Sequence, residues 1–417
     1  MTEQKKYKIL MLSDHALSTS GVGCQSRFLI EGLIKKGCWS VRQFGAALKH
    51  NDYDVVQVEP DFIIKPIDGF GDPNMLRLAL ATEKPDVLFI FTDPRFFTWL
   101  WEMEDEIHQI CPIAYWHVWD NGPTPQFNSA YYGSTDLINC HSYLTYEMVK
   151  EDFPDRTNFI PHALPKQLFH PLPKNQIAAW REKILGFDNK DCFTAFWVNR
   201  NAKRKRPADV LWAWKLFLDK IPNKADAMLL MHTDPFDMEG PNLVEVAKML
   251  GIIDRVTFSR ERIEFDQMNI LHNIADCCIN ISFAEGFGLG TLEAMQTGTP
   301  IIAAKTGGLT RQVVDHRDGT ENGVALEISQ KVLVGSQNVP YIYEDYVSVE
   351  DTADAIFKMY SMSDDEKVDL KKKVEDYVSS EFALDDTVDL WHKSLFQLVE
   401  DWKRGKAVVN RFEIREL

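Results

Sequence analysis

The stretch Cys277-Cys278-Ile279-Asn280-Ile281-Ser282-Phe283-Ala284-Glu285-Gly286-Phe287-Gly288-Leu289-Gly290-Thr291-Leu292-Glu293 decides how this chain is read. Residues 277–283 are a short apolar run of the kind that forms a buried parallel strand, and residues 291–297 have helical character closed by Gly298. The next strand is expected at 300–304. This strand, loop, helix, strand order puts Glu285 in the loop at the strand's carboxyl end and Glu293 about two turns later, on the helix. Both carboxylates can then face one polar ligand.

Outward from that element, short apolar runs keep alternating with longer amphipathic ones. In the second half, strands are expected at 193–198, 227–231, 256–259, 301–304 and 324–327. In the first half they are expected at 7–11, 54–58, 86–91, 112–118 and 136–140, with a helix over 22–36 capped by Gly37. That alternation is the grammar of doubly wound α/β domains. A proline-punctuated passage from Ile160-Pro161 to Leu172-Pro173 suits a linker. The expected division is a Rossmann-like domain over 1–165, a linker over 166–185, a second Rossmann-like domain over 186–380 and a helical segment over 381–417 that packs back toward the first domain. Residues 329–346 break the pattern and are expected as an extended loop or hairpin.

At 417 residues, with 45% hydrophobic and 26% charged side chains, the chain has the composition of a soluble globular protein of two or three domains. No apolar run reaches the roughly 18 residues that span a bilayer. The start, Met1-Thr2-Glu3-Gln4-Lys5-Lys6, leads into too short an apolar stretch for a signal peptide, so a cytoplasmic location is expected. The seven cysteines are scattered and lack any Cys-x-x-Cys, which argues against a zinc site or disulfide frame. A net charge of −16 opposes indiscriminate binding to a polyanion, although a local basic patch can override it.

Such a patch exists. Trp197-Val198-Asn199-Arg200-Asn201-Ala202-Lys203-Arg204-Lys205-Arg206-Pro207 runs an apolar strand into five cations before the next helix. Guanidinium and ammonium groups at a helix start suit a diphosphate. Taken together with the glycine loop Ser20-Gly21-Val22-Gly23, Glu285-x7-Glu293, Gly307-Gly308 and Asn322-Gly323, this chain resembles the retaining glycosyltransferases of family four, the large glycogen-synthase and sucrose-synthase-like class. The resemblance implies the two-domain GT-B fold, with two Rossmann-like domains facing a cleft, the first on the acceptor side and the second binding a nucleotide sugar. It implies that Arg200 and Lys205 hold the donor's diphosphate, that Glu293 binds the ribose and that Glu285 sits beside the transferred sugar. Gly286, Phe287, Gly288 and Leu289 line the donor, and Gly21 and Gly23 border its phosphates. His117, in Tyr115-Trp116-His117-Val118-Trp119-Asp120, is placed against the sugar hydroxyls, although a core histidine explains it nearly as well. Elementary chemistry agrees for the glutamates: carboxylates accept from vicinal hydroxyls and stabilise an oxocarbenium-like sugar.

The reaction implied is metal-independent transfer of a sugar from a nucleoside diphosphate, UDP foremost, to a hydroxyl, with no cofactor. Asp52-Tyr53-Asp54 precedes a strand rather than ending one, so the cations take a metal's part. The chain departs from the family pattern at Arg311 and Gln312, near a place that often holds an acidic residue. It also resembles, loosely, glycosyltransferases of T-even-type bacteriophages, some of which modify hydroxymethylcytosine in DNA. Lys203, Arg204, Arg206 and Arg95 are the residues expected to line such a DNA track in an infected host's cytoplasm. Rival readings are a nucleotide-sugar epimerase, a glycan phosphorylase, and a non-catalytic nucleic-acid-binding module. No stable membrane association is expected.

Overall fold

Two largely parallel sheets organise the chain. The computed structural model describes residues 6–48 and 51–405. Its contacts divide the chain into one unit drawn from Met1–His162, Ser336–Pro340 and Leu384–Leu417, and a second drawn from Ala163–Gly335 and Tyr341–Ala383.

In the first unit, eight strands among the described residues share one sheet: β1 (Tyr7–Asp14), β2 (Trp39–Ala46), β3 (Val56–Glu59), β4 (Phe62–Pro66), β5 (Val87–Thr92), β6 (Ile113–His117), β7 (Leu137–Cys140) and β8 (Thr157–Phe159). Their order is β3-β4-β2-β1-β5-β6-β7-β8, and only β3, against β4, runs antiparallel. The chain starts at β1, winds outward to β4, then returns to β5 and winds the other way. The reversal between β1 and β5 is a topological switch point. Both faces are covered, so β5 and β6 are buried at every position.

Alternation along the strands feeds two cores. Ile9, Met11, Val41, Phe89 and Phe91 point to one face, where Leu29 and Leu33 of the helix Gly21–Lys35 meet them, while Leu10, Leu12, Leu88 and Ile90 point to the other, against Leu76, Leu80 and Leu100. The helix Leu384–Lys403 closes the first face. Its Trp391 is fully buried, with ring centroids 4.9 Å from both Phe89 and Trp116. Of the helical segment expected over 381–417, residues 406–417 lie outside the described residues.

The second unit has β9 (Phe193–Val198), β10 (Ala227–His232), β11 (Val256–Ser259), β12 (Cys277–Asn280), β13 (Ile301–Ala304) and β14 (Gly323–Leu326), all parallel, in the order β11-β10-β9-β12-β13-β14. Its switch point lies between β9 and β12. The segment 329–346 is an antiparallel hairpin of β15 (Gln330–Val334) and β16 (Ile342–Tyr346). The stretch 166–185, expected as a linker, contains the helix Lys174–Leu185, which starts directly after Pro173. The strand expected to reach Phe283 leaves the ladder after Asn280, whose side-chain oxygen takes the Ser282 amide at 3.1 Å and turns the chain.

Trp391→Ala removes the largest side chain that the last helix buries. We expect a loss of about 3–5 kcal/mol in urea unfolding. A change below about 1 kcal/mol would show that this helix does not complete the first core.

Candidate active site

At the second unit's switch point, β9 and β12 both run out into polar loops, and hydrogen bonds lace the two loops together. After β9 the chain forms a short 3-10 turn, Lys203–Lys205, and Arg206 adopts the left-handed region (φ 53°) before Pro207 opens the helix Pro207–Leu218. The Phe283 amide donates to the Arg204 carbonyl (3.1 Å), and the Arg204 guanidinium donates to the Ala284 carbonyl (3.2 Å). These bonds set Lys205 against Glu285. The Lys205 ammonium bonds Glu285 Oε2, with both side chains about nine-tenths buried. Arg204 Nη1 stands 3.9 Å from the other oxygen. Burial pushes the Glu285 carboxyl up, but the charges of Lys205 and Arg204 and hydrogen bonds from Lys205 and Asn280 outweigh it, so the group sits below its ordinary range. It is a buried anion held chiefly by the Lys205 ammonium, with the Arg204 guanidinium and the Ser282 hydroxyl (3.4 Å) beside it.

The loop that carries Glu285 is fixed from below by residues around Gly307-Gly308. The Gly308 amide donates to the Glu285 carbonyl (3.0 Å), and a Cβ on Gly308 would fall 2.4 Å from Phe287 Cα. Only glycine permits that approach. Gly288 is left-handed (φ 91°) and caps the helix Leu289–Gln296. Gln312, fully buried, donates to the carbonyls of Phe287 (2.7 Å) and Gly288 (3.2 Å), and its Oε1 lies 2.6 Å from the Thr291 hydroxyl. The departure from the family pattern at this position is therefore a neutral amide that shapes the loop. The hairpin joins in as well: the Asp345 amide donates to the Phe283 carbonyl (2.7 Å), and Thr306 Oγ1 donates to Asp345 Oδ2 (2.8 Å).

Glu293 lies on the helix, with its Oε2 3.1 Å from Nε2 of the fully buried His272. Sequence spacing held no sign of His272, because it comes from another helix, Phe265–Asn273. Gly290 packs where a Cβ would meet the Val198 carbonyl at 3.2 Å, which seats this helix close to the end of β9. Arg200 is not brought to Glu285 here. Its side chain is 60% exposed and bonds Asp237 (2.7 Å) and Glu239 (2.9 Å).

In the first unit, Ser20 caps the helix Gly21–Lys35 through the Gly23 amide (3.0 Å) and donates to Asp14 Oδ2 (2.6 Å). Gly21 is exposed at the helix start. At Gly23 a Cβ would stand 2.3 Å from Ser18 Oγ and 2.6 Å from the His15 carbonyl. His117, at the carboxyl end of β6, is fully buried with Nε2 2.9 Å from the Tyr132 hydroxyl. Burial, then the neighbouring His141, lowers its pKa to about 3, so the ring is neutral at physiological pH.

Three residues of the expected nucleic-acid track are already engaged, Arg204 by the Ala284 carbonyl and Glu285 as described. Arg206 is 8% exposed and donates to Asp209 (2.7 Å) and to the Val347 carbonyl (3.1 Å), because its left-handed turn points the guanidinium inward. Arg95 is held at two points by Asp93 (2.8 and 2.5 Å).

Residues 181–331 match the model of the family described as glycosyl transferases group 1. The matched residues lie within the second unit. Over 146 residues the chain is 36% identical to a D-inositol 3-phosphate glycosyltransferase of Mycobacterium sp. (strain JLS), covering 34% of this chain and 31% of that one. Over 168 residues it is 30% identical to the enzyme of that name from Corynebacterium diphtheriae, covering 40% and 38%. The chain thus spans well under half the length of the curated relatives it matches. Among solved structures, sucrose-phosphate synthase from Thermosynechococcus elongatus superposes with a TM-score of 0.72 at 19% identity, covering 95% of this chain and 100% of that one. An Anabaena protein, HepE, in complex with UDP and glucose gives 0.68 at 17%, covering 94% and 100%. The fold is GT-B, with two Rossmann-like domains, as the sequence resemblance implied.

Glu285→Gln leaves a buried ammonium without its counter-charge, and at pH 7 we expect a loss of about 3–5 kcal/mol. Because the folded carboxyl lies below its ordinary value of 4.5, the wild-type advantage is complete above about pH 4.5 and fades as pH falls through the folded pKa. The gap between the urea midpoints of the two proteins should narrow as pH falls below about 4.5; a constant gap would contradict the pairing. Gly308→Ala should cost about 1–3 kcal/mol by displacing the Phe287 backbone, read as a lowered melting temperature.

Proposed function

We propose that this protein is a retaining glycosyltransferase that moves a sugar from a nucleoside diphosphate, UDP foremost, to a hydroxyl acceptor. The observation that carries the reading is the buried Lys205–Glu285 pair at the carboxyl edge of β9 and β12, where ligands of open α/β sheets bind. Buried charges are costly, and they gather where chemistry uses them. The group 1 match and the named UDP complexes of a protein of the same fold favour a nucleotide sugar.

In this reading Lys205 bonds the departing diphosphate, and Arg200 joins it by leaving Asp237 and Glu239, an exchange its exposed side chain allows at little cost. These cations do the work that a metal does elsewhere. Glu285 faces the positive charge that develops on the sugar. Glu293, oriented by His272, accepts from the ribose hydroxyls. Gly286, Phe287, Gly288 and Leu289 offer backbone N–H groups to the donor, with the left-handed Gly288 opening the helix there.

The test is a panel of sugar nucleotides offered with saccharide, small polyol and hydroxymethylated-DNA acceptors, with products read by mass spectrometry and anomeric configuration by NMR. We expect transfer with retention, and a fall in kcat of about 10²-fold or more for Lys205→Ala and Glu285→Ala. A new sugar nucleotide appearing without acceptor would mark an epimerase. DNA binding that survives both substitutions, with no transfer, would favour the binding module.

A further inference from the structure

The second unit's sheet has another polar edge, opposite the one that bears Lys205 and Glu285. At the amino ends of β9, β10 and β12 a cavity of about 930 Å³ opens beside the helix Lys174–Leu185, the end of the helix Val349–Tyr360 and the start of the helix Asp364–Glu381. That size suits a small-molecule ligand. A strand as long as β9 puts roughly 20 Å between the two edges, so one ligand cannot touch both.

Five cations line this cavity, and two of them are occupied. Arg181 donates to the carbonyls of Lys190 (2.7 Å) and Ile274 (2.6 Å) and reaches Asp276 (3.4 Å), while Lys190 pairs with Glu182 (3.6 Å). Lys174, Lys367 and Lys371 have no carboxylate within ion-pair distance among the described residues. Lys367 and Lys371 are one turn apart on the same helix, a spacing at which like charges repel. Burial, together with the charges of Arg181 and Lys174, holds the Lys371 amine below its ordinary value against the opposing pull of Asp276 and Glu375. The lining also carries Asp191 and Asp226, whose charges, after burial, help to hold the Cys192 thiol above its ordinary value.

Three lysines without an ion pair of their own, set in one concave wall, can each give a charge-assisted bond to a multivalent anion. Beside them the half-buried Tyr360 offers ring surface against which a sugar can lie. We propose that this cavity binds a small phosphorylated metabolite, its phosphate groups on Lys174, Lys367 and Lys371 and its ring against Tyr360. The site is separate from the proposed transfer chemistry and does not depend on it.

Calorimetric titration of the full chain with inorganic pyrophosphate and with a hexose bisphosphate tests this. Wild type should bind saturably, the hexose bisphosphate more tightly than pyrophosphate, with one equivalent assigned to this cavity by its loss in the lysine variants. Lys174→Gln/Lys371→Gln should weaken binding at least tenfold, Lys371→Arg should keep it within about threefold, and Arg200→Gln/Lys203→Gln, at the opposite edge, should leave it intact. With repulsion relieved, the unliganded double Gln variant should melt no lower than wild type. Should that variant fail to fold, Lys367→Gln and Lys371→Met singly are read by the same titration. No saturable binding by wild type, undiminished binding by the lysine variants, or loss confined to Arg200→Gln/Lys203→Gln would overturn the proposal, the last by placing the anion at the basic turn.

Discussion

The pairing of Lys205 with Glu285 is the constraint around which the second unit's functional edge is arranged. Neither charge would be tolerated in that place alone. The pair holds only because β9 and β12 are adjacent and because the Phe283 amide and the Arg204 guanidinium tie one loop to the other. The left-handed Arg206 is part of the same arrangement. It carries a backbone cost of about 1–2 kcal/mol, offset by Asp209 and the Val347 carbonyl, and it lets the helix Pro207–Leu218 start immediately after the ammonium it must not displace.

Glycine and glutamine act on that pair from a distance. Gly308 allows its loop to lie against Phe287, and the loop then presents Gln312 to two carbonyls of the glutamate-bearing turn. An acidic side chain at position 312 could accept from Thr291 but could not donate to Phe287 and Gly288. The amide does both. The hairpin adds a further bond, through Asp345, to the turn that precedes Glu285.

Much of this was legible from periodicity. Every strand of the second sheet was foreseen within a few residues, because parallel strands covered on both faces read as unbroken apolar runs. The first sheet was harder. β2 carries Ser40, Arg42 and Gln43 within Trp39–Ala46, and its mixed composition hid a strand that pairs with β1 over eight positions. The short β4 and β8 likewise gave no clear run. At the site, the E-x7-E spacing and the basic turn drew attention to Lys205, Glu285 and Glu293. His272 was invisible, and Gln312 stood out only as a departure from the family pattern, since each meets its neighbour across some twenty residues and through tertiary packing alone. Composition also could not separate Arg206, which is buried and structural, from the exposed Arg200.

The ion pairing of these cations has a chemical consequence under the proposed function. Lys205 is engaged by Glu285, and Arg200 by Asp237 and Glu239, so each cation enters the reaction already neutralised. A diphosphate that takes Lys205 replaces one anion with another of greater charge, and the ammonium loses little by the exchange. Glu285, relieved of its partner but still inside a dry pocket, then gains most from any positive charge that appears beside it. Such charge appears on the sugar only as the diphosphate departs. The interaction is therefore weak with bound donor and strong in the transition state, which is the difference that accelerates a reaction rather than merely tightening binding.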